Sequence, residues 1–273
     1  GIVLTFRWGS ELTGKSENMM SNESLIAVFV DFENLALGVA DMKPPATQFE
    51  IELVIKRLLE KGRIVFKRAY CDWSNYRKAV REFHTNGVEM VDIPRSRMSG
   101  KNSADIHMVV DAMDLCYSKS HIDTFVLLSG DSDFSPLVSK LKENQKRVIG
   151  CGVKNSTSDL LIANCDEFLY YDDLVAAAGK TRQARSGEPK TGDQKQDALG
   201  LLANIVQSLQ DEYDPLWGSM VKQAIRRVNP GFKESHHGYT SFSALIKDAA
   251  AKGLITVEYD RERGNYKIRT HDE

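Results

Sequence analysis

From residue 25 onwards the chain alternates between short apolar segments and segments with helical spacing, and this alternation constrains the fold more than any other feature. The apolar segments predict six strands, at 25–30, 63–70, 88–93, 122–128, 147–152 and 167–170. The intervening segments predict helices at 49–59, 73–84, 104–116, 134–143 and 158–163. Because parallel strands need long crossover connections, strands that alternate with helices favour a mainly parallel sheet. The sequence therefore predicts a Rossmann-like α/β domain with helices on both faces of the sheet.

A different pattern follows residue 178. Residues 179–197 contain no aliphatic residue larger than alanine and are rich in Gly, Lys and Gln, which is typical of a flexible linker. Beyond them, helical spacing precedes a predicted hairpin; the helices are expected at 198–210, 219–228 and 241–252, and the strands of the hairpin at 254–259 and 265–269. Three short helices followed by a hairpin favour a small winged helix-turn-helix domain.

The expected domain boundaries follow from these patterns. The α/β domain is predicted at 24–178 and the winged-helix domain at 198–273, and residues 1–23 are interpreted as an extension or a tag remnant. Residues 9–16 match the phosphate-loop pattern G-x-x-x-x-G-K-[ST]. That motif needs a helix directly after it, and residues 17–24 leave no room for one before the first strand, so a nucleotide site is not expected there.

Bulk composition narrows the function classes only modestly. The formal net charge is −2, so a polyanionic partner must be held by local patches or by metal ions. The four cysteines are scattered without a CxxC pair, which is typical of reduced thiols. The histidines form no HxxxH pair, so a zinc site is not expected. No apolar run approaches the ~18 residues of a membrane span, and the short apolar start has no positive leader. We therefore expect no membrane association and a cytoplasmic protein.

Four carboxylates lie at the predicted carboxyl ends of strands or at the start of the helix that follows one. Asp31 follows the first strand, Asp105 opens a helix, and Asp131 and Asp133 follow the fourth strand. The carboxyl ends of parallel strands share one edge of a sheet, so these four side chains are expected to converge. Clustered carboxylates repel each other unless a cation neutralises them. Oxygen ligands of this kind suit Mg²⁺ or Mn²⁺, which can promote phosphodiester cleavage.

Other polar residues near this edge have weaker assignments. Asn34 and Ser129 are candidates to hold metal-bound water or a phosphate oxygen, and Lys101 to contact the backbone of a substrate. Asp72 and Asp92 are interpreted as capping or turn residues. Gly130 is expected to let the backbone turn tightly before Asp131. Three aromatic residues have helical spacing that is more typical of packing than of base stacking: Trp73, Tyr76 and Phe83.

Three motifs in order, "VFVDFENL", "GKNSADIHMVVDAM" and "LLSGDSDFSPLV", resemble the NYN domain of the PIN-like nuclease superfamily. The resemblance covers residues 24–172. It implies metal-dependent ribonuclease activity and a PIN-like fold. It also implies a catalytic role for Asp31, Asp105 and Asp131, with Asn34 and Asp133 in support.

The segment at 198–270 resembles a LOTUS (OST-HTH) domain, on the stretch "GYTSFSALIKDAAAKGLITVEYD" and the hairpin strand "GNYKIR". This resemblance implies RNA binding or, in some members, protein binding. Candidate RNA contacts form a small group of basic and aromatic residues: Lys222, Arg226, Arg227, Lys233, His236, His237 and Tyr239. Lys222 and Arg226 are expected to share one helix face. The entry to the second predicted helix, "DPLWGSMVKQAI", departs from the usual aliphatic-rich pattern.

The resulting hypothesis is a Mg²⁺- or Mn²⁺-dependent endoribonuclease that acts on single-stranded or structured RNA. Two alternatives stay open: a non-catalytic RNA-binding adaptor, and a phosphatase that uses Asp31 as a phosphorylated nucleophile. The phosphatase chemistry needs a second aspartate two positions after the nucleophile, and this chain has Glu33 there. A homodimer and a protein partner of the C-terminal domain are compatible with the sequence.

Overall fold

The computed structural model describes residues 23–42, 48–94, 103–186 and 194–270, without the side chains of 180–186. The first unit contains six strands: β1 (Leu25–Asp31), β2 (Arg63–Cys71), β3 (Glu89–Asp92), β4 (Thr124–Leu128), β5 (Arg147–Gly152) and β6 (Glu167–Tyr170). Its helices are α1 (Phe32–Ala40), α2 (Ile51–Lys61), α3 (Arg77–Thr85), α4 (Ser103–Ser118), α5 (Ser135–Glu143), α6 (Asp159–Asn164) and α7 (Tyr171–Ser186). The strands form one parallel sheet in the order β3-β2-β1-β4-β5-β6.

Helices cover both faces of this sheet, as the alternating pattern predicts. The inward side chains of β1 and β4 divide between two hydrophobic clusters, which include Val28 and Val126 on one face and Phe29 and Phe125 on the other. Helices α1, α2, α3 and α7 contribute to the first cluster, and α4, α5 and α6 to the second. Both central strands are almost completely buried, which explains their continuous apolar sequence. The predicted parallel α/β fold is confirmed.

The strand order reverses beside β1. From β1 the chain moves outward to β2 and β3, and then returns to β4 on the other side of β1. In open parallel sheets the connections that leave two such strands diverge and create a crevice at their carboxyl ends. Asp31 ends β1, and Asp131 lies three residues after the end of β4. The fold therefore places both carboxylates at the point where a ligand site is most often found.

Several elements differ from their prediction. Helix α1 is not predicted by the pattern, because its apolar residues directly continue the buried strand β1. The helix expected at 73–84 is divided into a short 3-10 helix, Trp73–Asn75, and α3, with Tyr76 in a non-helical conformation between them. The linker expected at 179–197 is wrong in part, since α7 continues to Ser186 and the next helix begins at Gln194. The phosphate-loop pattern and Lys101 lie outside the described residues.

The C-terminal unit has its own core. Its helices are α8 (Gln194–Leu209), α9 (Gly218–Val228) and α10 (Phe242–Ala251), with a 3-10 helix at Glu234–His237. Strands β7 (Leu216–Trp217), β8 (Ile255–Asp260) and β9 (Asn265–Thr270) form an antiparallel sheet in the order β7-β9-β8. Side chains from all three helices and from the sheet bury a separate hydrophobic cluster. The predicted three helices and hairpin are therefore present, with β7 as an additional short strand.

The C-terminal unit packs against helix α2 of the first unit. Arg227 on α9 donates from Nε to the Leu59 carbonyl oxygen at 2.6 Å and from Nη2 to the Glu60 carbonyl oxygen at 2.7 Å. Lys61 is buried between the two units, where its ammonium group pairs with Glu167 at 2.7 Å and with Glu212. Because β2 begins just after α2, this interface lies at the amino-terminal edge of the sheet, opposite the carboxylates.

Within the described ranges, no helix combines the length and the apolar character that crossing a lipid bilayer requires. All four cysteines carry free thiols.

Candidate active site

Asp31 is the most buried of the candidate carboxylates, with 7% of its surface exposed. The carboxylate accepts a hydrogen bond from Ser129 Oγ at 2.8 Å and from the Asn34 backbone N–H at 3.4 Å, and so caps α1. Burial raises the pKa of Asp31 to about 7, and the nearby charges of Asp105 and Asp131 act in the same direction. Removal of the carboxylate from water disfavours its ionised form more than the two hydrogen bonds favour it.

Ser129 and Asn34 connect the ends of β1 and β4. Besides donating to Asp31, Ser129 Oγ accepts a hydrogen bond from the Asp131 backbone N–H at 3.1 Å. The side-chain oxygen of Asn34 accepts from the Gly130 backbone N–H at 2.8 Å. The sequence predicts that both residues contact water or phosphate. The structure shows that they fix the two strand ends relative to each other, and their contact with water or phosphate stays a prediction.

The other three carboxylates lie around Asp31. Asp131 accepts a hydrogen bond from the Asp133 backbone N–H at 2.9 Å and caps the 3-10 helix Ser132–Phe134, whereas the side chain of Asp133 is exposed. Asp105 is half-buried in the first turn of α4. Burial raises the pKa of Asp105, and repulsion by Asp131 and Asp133 adds to the effect. The structure therefore brings Asp105 and Asp131 close enough to Asp31 to interact with it electrostatically, and Asp133 interacts in the same way with Asp105.

This set fits a divalent cation by donor type. Hard carboxylate oxygens suit Mg²⁺ or Mn²⁺, and a cation would relieve the repulsion that adds to the effect of burial in raising the pKa values of Asp31 and Asp105. In the part of the chain that the structure describes, no three His, Cys, Asp or Glu side chains are arranged so that they could hold a metal ion. The carboxylates of Asp31 and Asp131 are turned towards backbone N–H groups instead.

Sequence reasoning missed one polar residue at this edge. The hydroxyl of Ser135 is buried, and no described residue hydrogen-bonds to it. Ser135 and Asp133 line the same open cavity of about 480 Å³. A buried hydroxyl without a partner is uncommon and is often explained by an unseen water, ion or ligand. A serine at the start of a helix is ordinarily interpreted as a cap. The sequence therefore carries no signal that the Ser135 hydroxyl is buried without a partner.

Comparison with known proteins adds the family. The model of the NYN domain family matches residues 25–172, which contain the whole sheet and all four carboxylates. The chain belongs to the NYN domain family. This family is generally made up of nucleases, and its members usually use divalent metals.

Two further proteins are similar to part of this chain, and neither has a described function. The uncharacterized protein MJ0482 of Methanocaldococcus jannaschii is 29% identical over 141 residues, which are 51% of this chain and 52% of that protein. The chain therefore spans about half the length of this curated relative. The crystal structure of a protein of unknown function, VPA0982 from Vibrio parahaemolyticus RIMD 2210633, is 28% identical with a TM-score of 0.49, over 56% of this chain and 96% of that chain.

Two further aspartates of the NYN domain have structural roles, as the sequence predicts. The Asp72 carboxylate accepts from the Ser74 backbone N–H at 3.1 Å and caps the 3-10 helix after β2. The Asp92 carboxylate accepts from the Trp73 backbone N–H, also at 3.1 Å. An aspartate after a strand of this sheet is therefore not by itself evidence of catalysis, and what distinguishes Asp31 is its burial and its charged neighbours.

Gly130 separates Ser129 from Asp131, and its role differs from the predicted tight turn. Its φ is not positive. A Cβ atom at this position would instead lie 2.5 Å from the Ser156 carbonyl oxygen and 3.0 Å from the Thr157 Cα atom. The glycine is needed because two backbone segments approach closely here, and this approach fixes where Asp131 lies.

We expect Gly130→Ala to lower the stability of the protein by about 1–3 kcal/mol, since neither backbone segment can easily move away from the new methyl group. Thermal unfolding followed by circular dichroism measures the effect. The matched control is Gly200→Ala on α8, where a Cβ would meet no atom within 4 Å. That substitution should leave stability unchanged or raise it by up to about 1 kcal/mol. Equal melting temperatures for the two variants would contradict the close-approach explanation.

The C-terminal residues that the sequence groups as RNA contacts do not form one exposed patch. Tyr239 is buried, and its hydroxyl donates to Asp248 at 2.6 Å, so stacking of its ring on a base is contradicted. Arg227 belongs to the interface with α2. His237 stacks on Phe232 and shares a hydrogen bond with the Gln194 carbonyl oxygen.

The remaining members of that group stay near the surface. Lys222 forms an ion pair with Glu234 at 3.1 Å and lies over the ring of Phe242. Arg226, Lys233 and His236 are exposed. A smaller basic surface is therefore left on the C-terminal unit, and Glu234 partly neutralises it.

Proposed function

We propose that this chain is a metal-dependent endoribonuclease that cleaves RNA phosphodiesters at the carboxyl edge of its NYN sheet. The observation that carries the proposal is the buried carboxylate of Asp31, which is electrostatically coupled to Asp105 and Asp131 at the reversal point of the strand order. A site with several coupled carboxylates and a pKa raised towards neutrality is uncommon in a purely structural role. Membership of a family of nucleases supports the same assignment.

In this proposal Asp31, Asp105 and Asp131 hold Mg²⁺ or Mn²⁺, and Asp133 supports them. Such an ion, when bound, supplies Lewis acidity and neutralises the charge that builds up on the phosphate. Ser129 and Asn34 keep the two strand ends, and with them Asp31 and Asp131, in register. Hydrolysis proceeds by in-line attack of water on phosphorus, with cleavage of the bond to the leaving oxygen. Lys101 is proposed to contact the RNA backbone.

The direct test is cleavage of end-labelled single-stranded and structured RNAs by the 273-residue chain, with Mn²⁺, Mg²⁺ or EDTA. We expect internal cleavage with at least one of the metals and none with EDTA. Cleavage that persists in EDTA would contradict the metal dependence. The absence of cleavage of every RNA with both metals would contradict the enzyme assignment.

A second candidate function is that of a non-catalytic RNA-binding adaptor. One observation favours it: the carboxylates of Asp31 and Asp131 serve as caps, and no described group of three side chains is arranged to hold a metal ion. RNA binding without cleavage in the same assay would select this function.

We further propose that the C-terminal unit is a winged helix of the LOTUS type that contributes RNA binding. Its three helices and its small antiparallel sheet, which contains the β8–β9 hairpin, support this proposal. The exposed side chains of Arg226, Lys233 and His236, together with Lys222, supply the basic surface. A protein partner in place of RNA is the competing role of this unit.

The basic surface can be tested in the 273-residue chain. The double substitution Lys222→Ala/Arg226→Ala should weaken RNA binding and reduce the log–log slope of affinity against salt by ~0.7 for each phosphate contact that is lost on single strands. Fluorescence anisotropy at several salt concentrations measures this slope. The matched control, Lys140→Ala/Lys142→Ala on α5, removes the same charge from the NYN domain. An unchanged slope in the α9 variant would favour protein binding by this unit.

A further inference from the structure

A cavity of about 610 Å³ opens between α1 and the start of α3, and neither the family nor the carboxylate set assigns a ligand to it. Its volume is in the range of ordinary small-ligand sites. The cavity lies at the same edge of the sheet as Asp31: Phe32 in its lining follows Asp31 directly, and Ser74 follows the carboxyl end of β2, the strand next to β1. A molecule bound there would therefore lie at the same edge of the sheet as Asp31.

The floor of this cavity is aromatic. Phe32 and Phe49 are almost fully buried beneath it, with 3% and 2% of their surfaces exposed. Tyr76 packs edge-on against Phe32, with ring centroids 5.1 Å apart and an interplanar angle of 85°. Trp73 and Phe83 are buried packing residues, as predicted, whereas Tyr76 stays partly exposed. Its hydroxyl makes no hydrogen bond to any described residue. The cavity thus presents a ring that is accessible from solvent.

The rim of the cavity is polar and positively charged. Gln48 and Asn75 contribute amide groups, and Arg77 and Lys78 contribute cations. All four side chains are exposed, and none of them hydrogen-bonds or forms an ion pair with another residue in the described ranges. None of the described residues that line the cavity carries a carboxylate. The combination of an aromatic floor, free amides and free cations matches the faces, the edges and the phosphates of a nucleotide respectively.

We propose that this cavity binds one nucleobase of the RNA, adjacent to the phosphodiester at the carboxylates. The inference rests on the proposed ribonuclease function and adds a base-binding subsite to it. The base lies against Tyr76, the amides of Gln48 and Asn75 contact its edge, and Arg77 and Lys78 contact the flanking phosphates. Such a subsite would give the enzyme a preferred position, or a preferred base, on one side of the cut.

The test combines altered RNA with altered protein. A set of RNA oligonucleotides carries a single abasic site at each position around the cleaved bond, and KM is measured for each with the wild-type chain. One position should raise KM about tenfold, which is the order of effect for the loss of one stacked base. In Tyr76→Leu the same abasic site should raise KM less than about threefold, because the stacking contact that the abasic site removes is already missing from this variant. The control is Arg81→Ala, which removes a guanidinium one turn further along α3 and should keep the tenfold effect.

Binding is measured separately from cleavage, in EDTA, with 2-aminopurine placed at successive positions of the same RNA. Stacking on Tyr76 should quench its fluorescence at one position, and Tyr76→Leu should restore the fluorescence while circular dichroism is unchanged. If the wild-type chain cleaves RNA but each abasic site raises KM by the same factor in the wild type and in all variants, the base subsite is wrong and the nuclease assignment stands. If no RNA is cleaved but the quenching is lost only in Tyr76→Leu, the nuclease assignment is wrong and the base subsite stands.

Discussion

Asp31→Asn is expected to lower the rate of metal-dependent RNA cleavage by roughly two to three orders of magnitude, the range found when a group that stabilises charge in the transition state is removed. The substitution keeps the shape of the side chain and its place beside Ser129 and Asn34. It removes the negative charge that couples Asp31 to Asp105 and Asp131. Single-turnover cleavage of labelled RNA with Mn²⁺ measures the effect, and circular dichroism shows that the fold is intact.

The matched control for this prediction is Asp72→Asn. Asp72 also follows a strand of the sheet and also caps the next helical segment, but through Ser74 and on β2. Its substitution should leave the cleavage rate within about a factor of three, in line with the small effects of most surface substitutions. Asp105→Asn and Asp131→Asn should behave like Asp31→Asn. Cleavage by Asp31→Asn at the wild-type rate would show that the proposed site is wrong.

Asp31→Asn is also expected to stabilise the metal-free protein at neutral pH. The folded chain holds Asp31 with a pKa of about 7, whereas an aspartate in an unfolded chain ionises near pH 3.9. Between these values the folded state keeps a proton that the unfolded state releases, so the stability of the wild-type chain falls as the pH rises and then levels off above about pH 7. Three pKa units correspond to at most about 4 kcal/mol. Because an asparagine side chain does not ionise, the variant escapes this loss.

Melting temperatures in EDTA at several pH values measure this effect. The melting temperature of the variant should be close to that of the wild type near pH 4.5 and roughly 5–10 °C higher near pH 7.5. This range follows because 1 kcal/mol shifts the melting temperature of a protein of this size by ~2–4 °C. Millimolar Mn²⁺ should raise the melting temperature of the wild type by mass action and that of Asp31→Asn or Asp131→Asn much less. A wild-type melting temperature that does not change on addition of Mn²⁺ would count against the metal site.

Much of the NYN fold could be predicted from the sequence because buried parallel strands leave a direct signal. The bounds of β5 and β6 agree with their predictions at both ends, and β1 and β2 differ by one residue at the carboxyl end. The helical residues at 179–186 and 194–197 escape prediction for a physical reason. These residues are rich in Arg, Gln and Lys and lack an apolar face that would indicate packing, yet Arg, Gln and Lys have high helix propensity. Composition alone does not separate such a helix from a linker.

The sequence indicates which residues form the candidate site, but it does not indicate which neighbours their side chains contact. The shared edge of Asp31 and Asp131 follows from strand direction, whereas the place of Asp105 also depends on where helix α4 begins. The roles of Asn34 and Ser129 do not follow from strand direction, because they depend on which neighbour each side chain reaches across the sheet edge. The sequence groups Arg227 with Arg226 since both are basic and adjacent. The two side chains point about 100° apart around the helix. Because α9 packs on α2, Arg227 hydrogen-bonds to carbonyl oxygens of α2 and is not available to RNA.

In the proposed function, the docking of the C-terminal unit at the amino-terminal edge of the sheet would set a minimum length for an RNA that uses both units. Strand β1 has seven residues, which at about 3.3 Å per residue separates the two edges by roughly 23 Å. At about 3.4 Å per nucleotide of a stacked strand, an RNA needs roughly seven nucleotides to reach from the carboxylates to α9. We expect the affinity for RNA to increase sharply near this length, because only longer strands would contact both units.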